Sequence, residues 1–184
     1  MICYLVRHGK DDETVRGGWS DASLCEEGIT QVNKLALQLS LNSNLHIGCI
    51  YSSDLTRAKQ TAEIPNGAFH ATVKFCPQFR EVNNGLLAGM KNSLACEKFP
   101  GLYWSSLNWE DPYPNGESPR EFYERIVGAW NEFKDHVSNL PYNVMLVTHG
   151  GVINVIQCIE HGLIYSNKCN PYPAGYAEMI AIEI

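Results

Sequence analysis

The chain is 184 residues long, a length that predicts one domain rather than two. Hydrophobic residues make up 45% of it and charged residues 18%, enough apolar surface for a real core and too little polarity for disorder. Lysine and arginine number 14 against 20 aspartates and glutamates, and the resulting net charge of −6 opposes adhesion to nucleic acid or anionic membrane, so an anionic ligand needs a local cluster of cations.

Residues 2–6 form an unbroken apolar run that stops at Arg7 and His8, too short and lacking the basic leader of a signal peptide, and predict a first strand. Residues 25–41 place Ile29, Val32, Ala36 and Leu39 on one face and predict a helix, with Ser23 and Glu26 at capping-box spacing before it. A second strand is expected at 47–51 and a helix at 54–64. Residues 79–116, rich in glycine and proline, read as a long connection with a short helix near 91–98.

The clearest helix starts at Ser118, with Pro119 in its first turn and Glu121 three residues after the cap. Its stripe of Phe122, Ile126, Phe133 and Val137 carries it to about residue 138. A third buried strand is expected at 144–147, a helix at 150–161 ending at Gly162, and a last strand at 177–184. Short apolar runs alternating with helical periods predict an α/β fold. Residues 137–159 carry no charged side chain, but Pro141, Asn143, Thr148, His149 and Asn154 make them too polar for a membrane helix. The cysteines number seven, without CxxC spacing, as expected for reduced cytosolic thiols.

Polar groups stand directly after each central strand: Arg7 and His8, then residues 52–57 with Arg57, then His149. The carboxyl ends of parallel strands form a ligand crevice, so these positions can converge. Gly9 follows His8, and Gly150 and Gly151 follow His149; glycine admits close approach of backbone amides, and a helix beginning at Gly150 aims free amides at an anion. A histidine at a strand end is by itself more often structural than catalytic. Two imidazoles with two guanidiniums suit a phosphate or sulfate ester better than a metal. Zinc is the rival, with His8, His149 and Asp11 or Asp12 as ligands, but no HExxH or close histidine pair accompanies them.

In these residues the sequence resembles the histidine phosphatase superfamily, also called the phosphoglycerate mutase-like family, over nearly the whole chain. The family's Arg-His-Gly signature stands as Arg7, His8 and Gly9, its second motif as residues 52–62, and its third as Thr148, His149, Gly150 and Gly151. Gly18 to Asp21 with Leu24, Glu26 and Gly28, and Gly116, Glu117 and Ser118 with Arg125, look like two further family features. The resemblance implies a single three-layer α/β/α sandwich over residues 1–184 with a mostly parallel central sheet. It implies that His8 attacks phosphorus, that Arg7, Arg57, His149 and Gly150 bind the phosphoryl group, and that the phosphohistidine is hydrolysed. It also implies a carboxylic acid that protonates the leaving oxygen, in a segment matched by residues 79–85, which makes Glu81 that acid although a loop glutamate is more often a solvated charge.

The expected enzyme is thus a metal-independent, cofactor-free cytoplasmic phosphatase of a small phosphorylated metabolite, with neither nucleic acid nor membrane as partner; its oligomeric state is left open. Phosphoglycerate mutase is the alternative, disfavoured because such members are longer. A phosphohistidine protein phosphatase would lack a counterpart of Glu81, and a non-catalytic phospho-ligand module would have lost a core residue. The loop after Gly9 departs from the family, with Asp11 and Thr14 where many members carry Thr and Asn. Asp11 there needs a cation, from Lys10, Arg16 or elsewhere. Arg16 either reads a second anionic group or is structural, and Tyr103, Trp104, Trp109 and Tyr113 either form a lid or pack in the core.

Overall fold

The computed structural model describes residues 1–42 and 45–184. Its strands are β1 (Ile2–Arg7), β2 (Ile47–Ser52), β3 (Thr72–Phe75), β4 (Asn143–Thr148) and β5 (Met179–Glu183), in the order β3-β2-β4-β1-β5. β1, β4, β2 and β3 run parallel, with Cys3 opposite Val144 and Cys49 opposite Val144 on the other side; β5 closes the sheet antiparallel to β1. The mostly parallel sheet is therefore as expected.

Because strand side chains alternate, the central strands feed two cores. Cys3, Leu5, Tyr51, Val144 and Leu146 face α4 (Pro119–Val137) and α5 (Gly150–Glu160), meeting Phe122, Ile126, Trp130 and Phe133 from the first helix and Val152 and Ile156 from the second. Tyr4, Val6, Ile50, Met145 and Val147 face the other way, onto Leu35 and Leu39 of α1 (Glu26–Ser40) and Ala58 and Ala62 of α2 (Thr56–Phe69). Helices on both faces give the three-layer sandwich.

Ser118 caps α4 through the full reciprocal box with Glu121, as the spacing predicts. The box predicted for α1 does not form: Cys25 is the N-cap and its side chain makes no capping bond. The buried stripe of α1 is Gly28, Val32, Leu35 and Leu39, so Ile29 stays 44% exposed and the sequence face is rotated. α2 runs on past Pro65 to Phe69, because the proline is buried and packing offsets the hydrogen bond it cannot make. β3 is an element the sequence reading omits; it is four residues long and mostly exposed at the sheet edge, without the apolar alternation that marks a strand. The connection over 79–116 contains α3 (Asn92–Lys98) and short 3₁₀ turns. Among the described residues, no helix is long and apolar enough to cross a membrane.

Candidate active site

β1, β2 and β4 end side by side at Arg7, Ser52 and Thr148, and the residues that follow converge. His8 keeps one backbone tie to the sheet, donating its N–H to the Thr148 carbonyl at 2.9 Å. The residue is 5% exposed, and its Nδ1 lies 2.7 Å from the Gly9 carbonyl. A carbonyl only accepts, so this contact puts the proton on Nδ1 and leaves the lone pair on Nε2. Arg57 Nε approaches that Nε2 at 3.3 Å. Burial, then the Arg57 guanidinium, hold His8 well below the ordinary histidine range, against the smaller opposing pull of the Gly9 hydrogen bond. The imidazole is neutral at pH 7.

Arg57, in the first turn of α2, is 2% exposed and aimed by the Ser20 carbonyl at 3.0 Å and the Gly18 carbonyl at 2.7 Å. Asn84 pins the loop that supplies them: its Oδ1 accepts from the Trp19 amide and its Nδ2 donates to the Gly17 carbonyl. Asp11 finds its cation here, with Oδ2 3.3 Å from Arg57 Nε. Lys10 pairs instead with Glu27 and Glu13, and Arg16 with no carboxylate among the described residues. Burial pushes the Asp11 carboxyl up against the pull of Arg57, and pushes the Arg57 guanidinium down against the pull of Asp11.

Arg7 donates through Nη1 to the Ala174 carbonyl at 2.7 Å and sits over Tyr176, with Cζ 3.8 Å from the ring centroid. Tyr176 in turn donates its hydroxyl to Glu13 at 3.0 Å. The sequence reading missed Ala174 and Tyr176, since their contact with Arg7 spans more than 160 residues and leaves no local pattern.

His149 is the fully buried N-cap of α5, its ring centroid 5.0 Å from that of His8. Its Nε2 is 2.8 Å from Ser53 Oγ, while Nδ1 has no partner among the described residues. In the tautomer in which the Ser53 hydroxyl donates to Nε2, Nδ1 carries the proton. Burial, then Arg57 and His8, drive this ring well below the ordinary range as well.

Glu81 accepts backbone amides from Val82 and Gly151, each at 3.1 Å. Its backbone is braced on both sides. Arg125, paired with Glu117 at 2.7 Å, donates to the carbonyls of Gln78, Arg80 and Glu81, and Arg80 makes a bidentate pair with Asp54 at 2.6 Å for both bonds. The Trp19 indole N–H adds a bond to the Glu81 carbonyl at 2.7 Å.

Arg7, His8, Asp11, Arg16, Arg57 and Glu81 line one cavity of about 320 Å³. His149 and Gly150 stand outside its wall, Gly150 near enough to Arg7 that a Cβ would touch Nε at 3.4 Å. A second hollow of about 450 Å³ shares Glu81 with the first and is lined by Trp104, Asn154 and Tyr165. The aromatic residues divide between the two expectations. Tyr113 is buried and stacked on Trp104, whereas Trp109, beside Tyr123 and Tyr165, is 37% exposed and Tyr103, which supports Arg16, is 45% exposed.

Zinc finds no ligand set, since Asp11 is engaged by Arg57. Among the described residues, no group of three or more His, Cys, Asp or Glu is placed to hold a metal.

Comparison with known proteins agrees with this geometry. The chain is 30% identical over 173 residues to the putative phosphoserine phosphatase 2 of Hydrogenobacter thermophilus, covering 91% of this chain and 82% of that one. It is 33% identical over 167 residues to a probable phosphoglycerate mutase of Cronobacter sakazakii, covering 87% of this chain and 74% of the relative. The alpha-ribazole phosphatase of Shigella flexneri superposes on all of this chain and 91% of its own with a TM-score of 0.84, at 21% identity, a likeness of fold. The profile of the histidine phosphatase superfamily, branch 1, matches residues 3–170, and the chain belongs to that family.

Proposed function

We propose that this protein is a metal-independent phosphatase that hydrolyses a small phosphate monoester through a phosphohistidine on His8. The observation that carries this reading is the neutral His8 ring, its Nδ1 proton held by Gly9 and its Nε2 lone pair beside Arg57 in a cavity that Arg7 also lines. Nε2 attacks phosphorus in line, and the bond from phosphorus to the ester oxygen breaks. Arg7 and Arg57 hold the equatorial oxygens from the cavity wall, and His149, behind that wall and beside the His8 ring, offers its Nδ1–H to them; each of Arg7 Nε and His149 Nδ1 is a buried atom without a protein partner among the described residues. Glu81 gives its proton to the departing alkoxide. In the second step water attacks the phosphohistidine, Glu81 takes the water proton, and phosphate leaves with His8 neutral again.

The cationic side chains occupy the role a divalent ion has in metallophosphatases, so no metal or cofactor is assigned. The similarity to a phosphoserine phosphatase supports a small phosphorylated metabolite as substrate, and the unpaired state of the cysteines among the described residues supports a cytoplasmic setting. The shared sheet that carries both cores and the site supports a single domain over residues 1–184. A mutase reading is favoured by the relatives named as probable phosphoglycerate mutases, that of Cronobacter sakazakii among them; it differs in returning the phosphoryl group to an organic acceptor.

The test is to mix the protein with an isotopically labelled phosphate ester after exhaustive chelation, quench within milliseconds, and assay base-stable, acid-labile label on the protein. The phosphatase reading expects that label and release of inorganic phosphate. Label with isomerised ester and no free phosphate would establish the mutase, and turnover that chelation abolishes and metal restores would overturn the mechanism.

A further inference from the structure

The arginines of this chain number six, and pairing separates them sharply. Arg57, Arg80, Arg120 and Arg125 each have a carboxylate oxygen within 3.5 Å. Arg7 and Arg16 have none within 4.0 Å among the described residues, and both line the same cavity. They are also built alike. Each guanidinium lies over a tyrosine ring, Arg7 on Tyr176 at 3.8 Å and Arg16 on Tyr103 at 4.5 Å. Each keeps a buried Nε without a hydrogen-bond partner among the described residues. Among the described residues, the one side-chain hydrogen bond of Arg16 is a weak contact from Nη2 to Cys96 Sγ at 3.7 Å.

A guanidinium stays charged at all relevant pH values, and its planar fork of donors matches a carboxylate or phosphate edge. Leaving a buried donor of a charged group unsatisfied is costly, so two such groups facing one cavity imply two anionic acceptors there. A single phosphoryl group accounts for Arg7. The backbone of Arg16 is fixed at the cavity wall, with its N–H donating to the Met90 carbonyl at 2.8 Å and its carbonyl accepting from Gly89 at 2.9 Å, and the Tyr103 ring supports the side chain that extends from it.

We infer that Arg16 binds a second anionic group on the leaving-group side of the substrate, which makes the substrate class a phosphate monoester that carries a carboxylate or a further phosphate. This rests on the phosphatase reading of the same cavity. Tyr103 acts through Arg16, setting the plane in which the fork meets the anion.

The experiment compares kcat/KM for matched pairs of esters. O-phosphoserine against O-phosphoethanolamine adds only a carboxylate, and fructose 1,6-bisphosphate against fructose 6-phosphate adds only a phosphate. The native protein is expected to favour the doubly anionic member of at least one pair, the favoured pair naming the anion. Arg16→Met should reduce that preference by about 10- to 100-fold, the worth of one charge-assisted hydrogen-bonded contact, while Arg16→Lys retains part of it. A preference that Arg16→Met leaves intact, or no preference in native protein that turns over p-nitrophenyl phosphate, would overturn the inference and leave the phosphatase reading standing. Calorimetric binding of the same pairs to His8→Ala protein, with and without Arg16→Met, reads the same preference without turnover. Absence of p-nitrophenyl phosphate turnover in native protein would instead count against the phosphatase reading, with the binding preference still deciding the role of Arg16.

Discussion

Gly151 donates its amide to Glu81 Oε2 at 3.1 Å, and a Cβ on Gly151 would overlap Glu81 Oε1. The glycine is thus the floor against which the carboxylate rests. Glu81→Gln is expected to slow phosphoenzyme formation from an alkyl phosphate by about 10² to 10⁴, the usual worth of proton transfer from a placed acid. A p-nitrophenyl ester loses much less in that step, because its phenolate leaves without a proton. Gly151→Ala moves the flexible end of Glu81 and should give the same leaving-group pattern at smaller amplitude. Rapid-quench rates for both esters check this; equal slowing with both leaving groups would show that Glu81 acts structurally.

His8→Ala should abolish the acid-labile phosphoenzyme while a phosphate ester still binds, since Arg7, Arg57 and His149 do not depend on the ring for their own anchors. Arg57→Ala weakens binding and turnover together, by about 1.5–3 kcal/mol for one lost charge-assisted contact, and strips Asp11 of its cation. Equilibrium binding beside single-turnover labelling separates the two patterns. A phosphoenzyme that still forms in His8→Ala protein would remove His8 as the nucleophile.

The central strands and α4 are legible in the sequence because burial on both faces leaves unbroken apolar runs, and because a Ser-Pro start with Glu three residues on has a local mechanism. Arg7, His8, Arg57 and His149 are legible because each follows such a run. What escapes is nonlocal. The cation for Asp11 is Arg57, 46 positions away and aimed by carbonyls of another loop; the rotated face of α1 is set by what α2 offers it; and β3 exists because β2 has an open edge, not because residues 72–75 look like a strand.

Stability should fall as the solution is acidified through pH 6.5. His8 and His149 are held well below the ordinary value of 6.5 in the folded protein, mainly by burial, and regain it on unfolding. Above 6.5 neither state takes up a proton, and the contribution of the neutral rings is complete. Below it the unfolded chain binds protons that the folded chain refuses, so each ring costs up to about 1.4 kcal/mol per pH unit down to its folded pKa. Urea unfolding at pH 8, 7, 6 and 5.5 should show a plateau and then a decline. His149→Asn should lessen the steepness of the decline, and a decline as steep as in the native protein would show that His149 does not contribute.

Tyr176 gives Arg7 its second support, a ring face 3.8 Å from the guanidinium, while Ala174 holds Nη1 from the edge. The hydroxyl of Tyr176 does separate work, bonding Glu13 and so tying the C-terminal segment to the loop after β1. The two roles come apart in two substitutions. Tyr176→Phe keeps the face and loses the tie to an exposed carboxylate, and the KM for p-nitrophenyl phosphate should change less than about twofold, as expected of a surface contact. Tyr176→Leu removes the π face, worth about 0.5–2 kcal/mol for a cation over an aromatic ring, and frees Arg7 to tilt away from the phosphoryl position. Its KM should rise by roughly 2- to 30-fold, the same interval expressed as an equilibrium ratio, with kcat reduced less than KM is raised. Steady-state kinetics on the two variants decides the matter: equal losses in both would assign the effect to the Glu13 tie, and a fall in kcat with KM unchanged would show that Tyr176 does not act through the binding arginine.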